Sequence, residues 1–374
     1  MTVPASDSPP LFLVLCRPPE DEWKILPGYV EALNRKGCEV FAVPKNLAMD
    51  VPLAEILKIC PRPPAAILQL ITARPLLPDG LATSTAPTIC LHPDTYAFTE
   101  RRIRWSFLFD HAAVYHPGYD TRFREGGHPS VFVSPFAVRQ QSFDQPEAER
   151  VYEVGWVGQS SGVIYRNRTR LLPVLAQHFR MNDWAKSYSL DETAGIYRSS
   201  KIVLNIGRDD YPQDANMRVF EVLASGALLI TALPSELAQL GFVEGTHFIG
   251  YTKDEEIVPL IRSFLNNEQA RARIATAARE KILSEHTYDH RVQQILNRLK
   301  EFGEKRPAPA RKWSDARGRL VALDFFVGHN VLDAAFRQYF KLFARDLRGT
   351  VEGALLLARA LAAKCFRSLR RAGG

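Results

Sequence analysis

The chain has 374 residues, 46% apolar and 24% charged, a composition ordinary for globular α/β proteins and long enough for two cores. Its net charge of +7 does not point to nucleic acid: residues 301–374 hold 15 Lys/Arg and 7 Asp/Glu, the remainder is close to neutral at −1, and no nucleic-acid-binding signature accompanies the basic end. The first ten residues, MTVPASDSPP, lack the basic and long apolar segments of a secretory signal, and five widely spaced cysteines without a C-x-x-C pair read as reduced thiols of a cytoplasmic protein.

In chain order, residues 11–15 read as a first strand, 28–36 as part of a helix and 39–43 as a second strand, the opening rhythm of a Rossmann-like unit. The loop over residues 17–27 has no G-x-G-x-x-G, so this half is not expected to hold a dinucleotide. Residues 65–70, 88–91, 112–115 and 131–133 are further short strands, and residues 136–150, polar with Pro146, are the expected linker. Residues 152–157 open the second half as a strand that ends in GQSSG at 158–162, where Gly158 and Ser160 let backbone N–H groups approach a phosphate. Arg166, Arg168 and Arg170 head the next helix, where the macrodipole disfavours cations; either an anion docks there or the basic start is solvated.

Residues 201–226, KIVLNIGRDDYPQDANMRVFEVLASG, carry the strongest pattern. Residues 201–206 are apolar and rich in β-branched types, as in a parallel strand covered on both faces. A polar loop over 207–215 then leads to Asn216 as N-cap of a helix that runs to about Ser225 and stops at Gly226. Arg218 in the first turn is unfavourable by up to about 1 kcal/mol unless something anionic offsets it. A diphosphate on the N–H groups of the helix start, gripped by Arg218, does so. Glu221, three residues on, can accept from the two hydroxyls of a ribose. The alternative is a surface Arg218/Glu221 pair worth at most about 0.5 kcal/mol. Asp209 and Asp210 read as solvated loop acids rather than a metal motif, and His286 and His290, four apart in a largely helical stretch over 254–299, lack a third ligand at metal-site spacing.

The string N-x-R-x-F-E-x-L-A-S-G after K-I-x-L-N-I, with His286, Thr287, Tyr288 and Arg291 further on, resembles the C-terminal domain of group-1 glycosyltransferases, in particular the CgeB-type spore-maturation branch, over residues 131–299. The resemblance implies an α/β protein of the GT-B fold: two Rossmann-like domains facing across a cleft, here with a basic helical C-terminal extension. It implies an acceptor domain over residues 1–135, the linker at 136–150, a nucleotide-sugar domain with its return helix over 151–302, and the tail at 303–374. By the same likeness Glu221 matches the ribose-binding acid, and Arg166 or Arg168 the basic group on the donor diphosphate. One position departs: where many of these enzymes carry a second Glu eight residues before the ribose acid, this chain has Gln213 with Asp214 beside it. Either the loop register differs by one and Asp214 serves, or the sugar contact is made differently, so retention or inversion stays open.

The implied activity is transfer of a sugar, a hexose by expectation, from a nucleotide-sugar donor to a glycan, lipid-linked or protein acceptor, with no metal or cofactor. Charge on the leaving diphosphate would be stabilised by Arg218, the Asn216 helix start, the Gly158 loop and Arg166 or Arg168. An inverting reaction also needs a base toward the acceptor, and CLHPD at 90–94 offers His92 and Asp94 at a strand end, each as readily structural. A non-catalytic nucleotide-sugar- or glycan-binding scaffold and a sugar-nucleotide epimerase remain open. In the tail, residues 305–312 form a Lys/Arg/Pro linker; then Leu332, Phe336, Tyr339, Phe340, Phe343 and Leu347 share one stripe, and Arg337, Lys341, Arg345 and Arg348 another. Residues 351–369 are apolar but interrupted by Arg359 and Lys364, too soon for a comfortable spanning helix. Residues 331–371 therefore lie on an anionic membrane surface at its cytoplasmic face, or pack on the body or a partner.

Overall fold

The computed structural model describes residues 8–15, 25–44, 46–71, 76–143, 148–304, 315–343 and 346–372. Most of the first loop, Pro146, the 305–312 linker and Arg345 lie outside the described residues. The chain divides into two compact units, one joining Met1–Val133 to Ile295–Gly374 and the other made of Ser134–Gln294.

The first unit runs β1 (Leu11–Val14), α1 (Leu26–Arg35), β2 (Glu39–Ala42), α2 (Leu53–Ile59), β3 (Ala66–Leu70), β4 (Thr88–His92), α3 (Thr99–Ser106), β5 (His111–Val114), α4 (Tyr119–Glu125) and β6 (Val131–Val133). These strands form a six-stranded sheet in the order β2-β1-β3-β4-β5-β6, every pairing parallel. All residues of β1, β3, β4 and β5 are buried, which is why they read as near-continuous apolar runs: a parallel sheet is covered on both faces.

The second unit runs β7 (Tyr152–Gly155), α5 (Arg166–His178), α6 (Leu190–Arg198), β8 (Ser200–Asn205), α7 (Met217–Ser225), β9 (Leu228–Ala232), β10 (Ile249–Tyr251), α8 (Ile257–Asn266), α9 (Glu268–Glu285) and the start of α10 (Tyr288–Glu304). Its sheet is parallel in the order β10-β9-β8-β7. Local signals set the helix ends. Ser189 and Glu192 make a capping box before α6, and Gly226, at φ 74°, closes α7 in the left-handed conformation that glycine adopts without penalty.

Helices α11 (Asp315–Gly328), α12 (Leu332–Phe343) and α13 (Leu347–Ala372) belong to the first unit and complete its core. Phe325 and Phe326, fully buried, join Leu13, Ile67, Trp105 and Phe109 in one apolar cluster. The Trp105 indole Nε1 donates to Asp324 at 3.3 Å, and its ring lies 5.0 Å from that of Phe325. Two members of the basic stripe, both on α12, are engaged by acids of the unit: Arg337 pairs with buried Asp50 at 2.7 Å and Lys341 with Asp79 at 2.9 Å, where Arg319 also arrives at 3.0 Å. Burial alone would raise the Asp79 carboxyl, but Lys341 and Arg319 outweigh it and hold it below its ordinary value. The apolar stripe is split, because the side of α12 that meets the core is the small one, Ala334, Ala335 and Gln338 with Leu342, which lets the helix approach closely. Phe336 and Tyr339 border that contact, whereas Phe340 and Phe343 are exposed.

Candidate functional site

The C-terminal ends of β7 and β8 meet the N-terminus of α7, the position where open parallel sheets hold ligands. Arg218, half-buried in the first turn of α7, reaches back across both strand ends. Its Nε donates to the carbonyl of Val157 at 2.8 Å and its Nη1 to Asn205 Oδ1 at 3.0 Å. The guanidinium lies 4.9 Å from the centre of the Trp156 ring and hydrogen-bonds the buried phenol of Tyr197. Burial pushes that phenol well above its ordinary value, so Tyr197 stays a neutral partner. Gly158 makes room for Arg218: a Cβ there would push the guanidinium away and meet the Trp156 ring at 3.3 Å.

Asn216 occupies the N-cap, with extended backbone at φ −69°, ψ 174°, but its side chain makes no cap bond. Instead Nδ2 donates to Asn205 Oδ1 at 3.2 Å, the oxygen that Arg218 also uses. The helix start is thus left without a side-chain cap beside a fixed guanidinium.

Arg168 is a second, deeper cation, 5% exposed. It donates to the carbonyls of Ile206 at 2.9 Å and Gln159 at 3.0 Å and lies 4.1 Å from the centre of the Tyr165 ring. Burial, and next the Arg218 guanidinium, bring its pKa down to about 10, so it remains protonated near neutrality. The Arg166 side chain is exposed, and its backbone N–H with that of Asn167 donates to Asp209 at 2.7 and 3.2 Å. The expectation that Asp209 is merely solvated is therefore corrected: its carboxylate caps α5, while Asp210 pairs with Arg208 at 2.8 Å. The α5 start already holds an anion from the chain itself. Ser160 is half-buried, and its carbonyl accepts from Thr169 at 3.3 Å.

Glu221 is half-buried one turn after Arg218, near enough for its charge to act on Tyr197. The Gln213 carbonyl accepts from the Glu236 backbone N–H at 3.0 Å. Asp214, 5% exposed, acts electrostatically on Arg168 and accepts at its carbonyl from Asn216 Nδ2 at 3.5 Å. The loop holding both is stapled by Glu236, whose carboxylate accepts from Tyr211 Oη at 2.6 Å and the Ala215 N–H at 3.0 Å.

In the first unit, His92 is fully buried with its ring against Phe123. Burial, then Arg102 and His128, press it well below its ordinary pKa, which keeps it neutral. With no exposed surface the ring is out of reach of an incoming hydroxyl, and the expected role for His92 is not carried forward. Asp94 is half-buried just past the C-terminal end of β4 in left-handed backbone, φ 49°, accepting from Tyr96 Oη at 3.5 Å. His286 is a neutral acceptor for Arg291 at 2.6 Å, its pKa brought to about 3 by burial first and Arg291 next. Arg291 also donates to the carbonyls of Pro135 at 2.9 Å and Phe136 at 3.2 Å, so the motif fixes the opening residues of the second unit.

The structure therefore gathers Arg218, Gly158, Asn216, Arg168 and Asp214 at one end of a sheet. Sequence reasoning missed Trp156, Tyr197, Asn205 and Glu236. The last residue of β8, a polar Asn205 closing an apolar run, was the available signal.

Residues 165–297 match the family model described as glycosyl transferase-like. That match falls almost wholly within the second unit. No curated protein sequence matches the chain. Among solved structures, HepE of Anabaena, crystallised with UDP, aligns with a TM-score of 0.53 at 12% identity, over 78% of this chain and 100% of its own. A glycosyltransferase of Rickettsia africae gives 0.55 at 11% over 80% and 100%. Sucrose-phosphate synthase of Thermosynechococcus elongatus gives 0.55 at 9% over 79% and 99%. These likenesses show the fold, which is GT-B.

Proposed function

We propose that the chain is a nucleotide-sugar-dependent glycosyltransferase of the group-1 kind, resembling the CgeB-type branch, that moves a hexose to a glycan, lipid-linked or protein acceptor without a metal. The observation that carries this reading is the setting of Arg218. Its guanidinium is held by two strand ends at a helix start with no side-chain cap, beside the second cation, Arg168. Two neighbouring cations repel, and an anion docked between the Gly158 loop and the α7 N–H groups offsets that repulsion. A donor diphosphate fits there, and stabilising charge as it builds on that leaving group is the main catalytic task.

Glu221, one turn on, is proposed for the ribose hydroxyls, with Gln213 and Asp214 toward the donor sugar. HepE is described in complex with UDP and with UDP-glucose, so a uridine donor is the first to try. The proposed setting is the cytoplasm, consistent with the free thiols of Cys38, Cys60 and Cys90. Incubation with UDP-, GDP- and dTDP-sugars should release nucleotide slowly with one of them, and Arg218→Ala should slow that release about 10²- to 10³-fold. Tight binding of a nucleotide sugar with no turnover, with or without acceptor glycans, would make the chain a scaffold instead.

A further inference from the structure

Helix α13 has two apolar faces, and only one is used. Gly349, Thr350, Gly353 and Leu357 are buried against the rest of the first unit, with Gly353 so close to Tyr339 that an added Cβ would lie 3.1 Å from its ring. On the other side Leu347, Val351 and Leu355, spaced by one turn, are 82%, 55% and 56% exposed, and Ala354, Ala358, Leu361 and Ala362 extend the same exposed arc. Phe340 and Phe343 on the preceding α12, which packs on α13, are 67% and 69% exposed. Because its inner face is locked against Tyr339, α13 cannot roll to hide the outer one.

Charge decides what covers it. Arg348 and Arg359 are exposed along one border of the arc, where Arg348 also pairs with Glu352 at 3.5 Å, and Lys364 lies beyond the other. After Glu352 the sequence has five Lys/Arg and no Asp or Glu. A second copy of the face would set two borders with a net excess of cations against each other, Glu352 offsetting one Arg on each. Among the described residues no helix is long and apolar enough to cross a membrane. We propose that this face, Phe340, Phe343, Leu347, Val351 and Leu355 with its basic borders, docks in the headgroup region of an anionic lipid bilayer and lies along it. The docking face keeps Phe340, Phe343 and Leu347 of the apolar stripe expected from the sequence but not its basic border, since Arg337 and Lys341 are spent on Asp50 and Asp79.

The test is co-sedimentation of the full chain with phosphatidylcholine vesicles with and without phosphatidylglycerol. The chain should pellet only with the anionic vesicles, and less in high salt. Leu347→Glu with Val351→Glu should abolish pelleting with no change in melting temperature. Arg359→Gln with Lys364→Gln should lower the partition coefficient about 25-fold, at roughly a factor of five for each basic residue. Failure to pellet with anionic vesicles overturns the proposal, as does a lipid-free dimer that Leu347→Glu dissociates. Vesicle binding needs no donor, so a chain without transferase activity would leave this inference standing.

Discussion

Arg218 sits where a helix disfavours a cation, and Val157, Asn205 and the Trp156 ring orient its charge without neutralising it. If that charge serves a leaving diphosphate, Arg218→Ala should cut turnover by about 10²- to 10³-fold, the loss typical for one preorganised donor at developing charge. Arg218→Lys should not restore it, because an ammonium lacks the planar fork that serves Val157 and Asn205 together. Steady-state nucleotide release measures both. Glu221→Ala should weaken donor binding by roughly 10- to 100-fold, the range for a charged hydrogen-bonding group, with an unchanged melting temperature. Equal affinities by calorimetry would take Glu221 out of the site. Gly158→Ala tests the packing directly, since its methyl group displaces the guanidinium; donor affinity should fall although no charge is removed.

At the scale of elements, two junctions hold the second unit in shape. Asp209 closes the start of α5 from a loop that follows β8, and Asp209→Ala should cost about 1 kcal/mol in chemical denaturation, as for a lost helix cap. The other junction is the His286–Arg291 clamp on residues 135–138. His286 has a folded pKa of about 3 against 6.5 for the free imidazole. Between those values the unfolded chain takes up a proton that the folded chain refuses, so stability falls as pH drops from about 6.5 toward 3 and does not depend on this group above that window. His329 in the first unit, held at about 4 chiefly by burial, acts in the same direction. The informative comparison is therefore His286→Gln, which keeps an acceptor for Arg291 but cannot titrate; its melting temperature should decline less steeply between pH 6.5 and 4 than that of the parent.

For the whole molecule, the 303–374 segment is structural as well as basic. Removing it strips Phe325 and Phe326 from the first unit and leaves buried Asp50 without Arg337. The truncated chain should aggregate on expression, and Phe325→Ala alone should cost about 3–5 kcal/mol by denaturant titration. What residue order encodes by itself is short-range. Parallel strands covered on both faces show as apolar runs, Gly226 shows as the left-handed stop of α7, and the Asn216–Arg218–Glu221 spacing shows as one helix turn, because period and backbone chirality depend only on neighbours in the chain. The GT-B architecture followed from those patterns with the family resemblance. Tertiary structure alone decided which partners arrive from elsewhere: Trp156 and Asn205 under Arg218, Asp209 on α5, Asp50 and Asp79 against the tail, and His92 sealed in a core. An amphipathic period states that one side of α12 is buried but not which. Ala334, Ala335, Gln338 and Leu342 face inward because the neighbouring surface accepts those side chains into its grooves, a choice that surface makes.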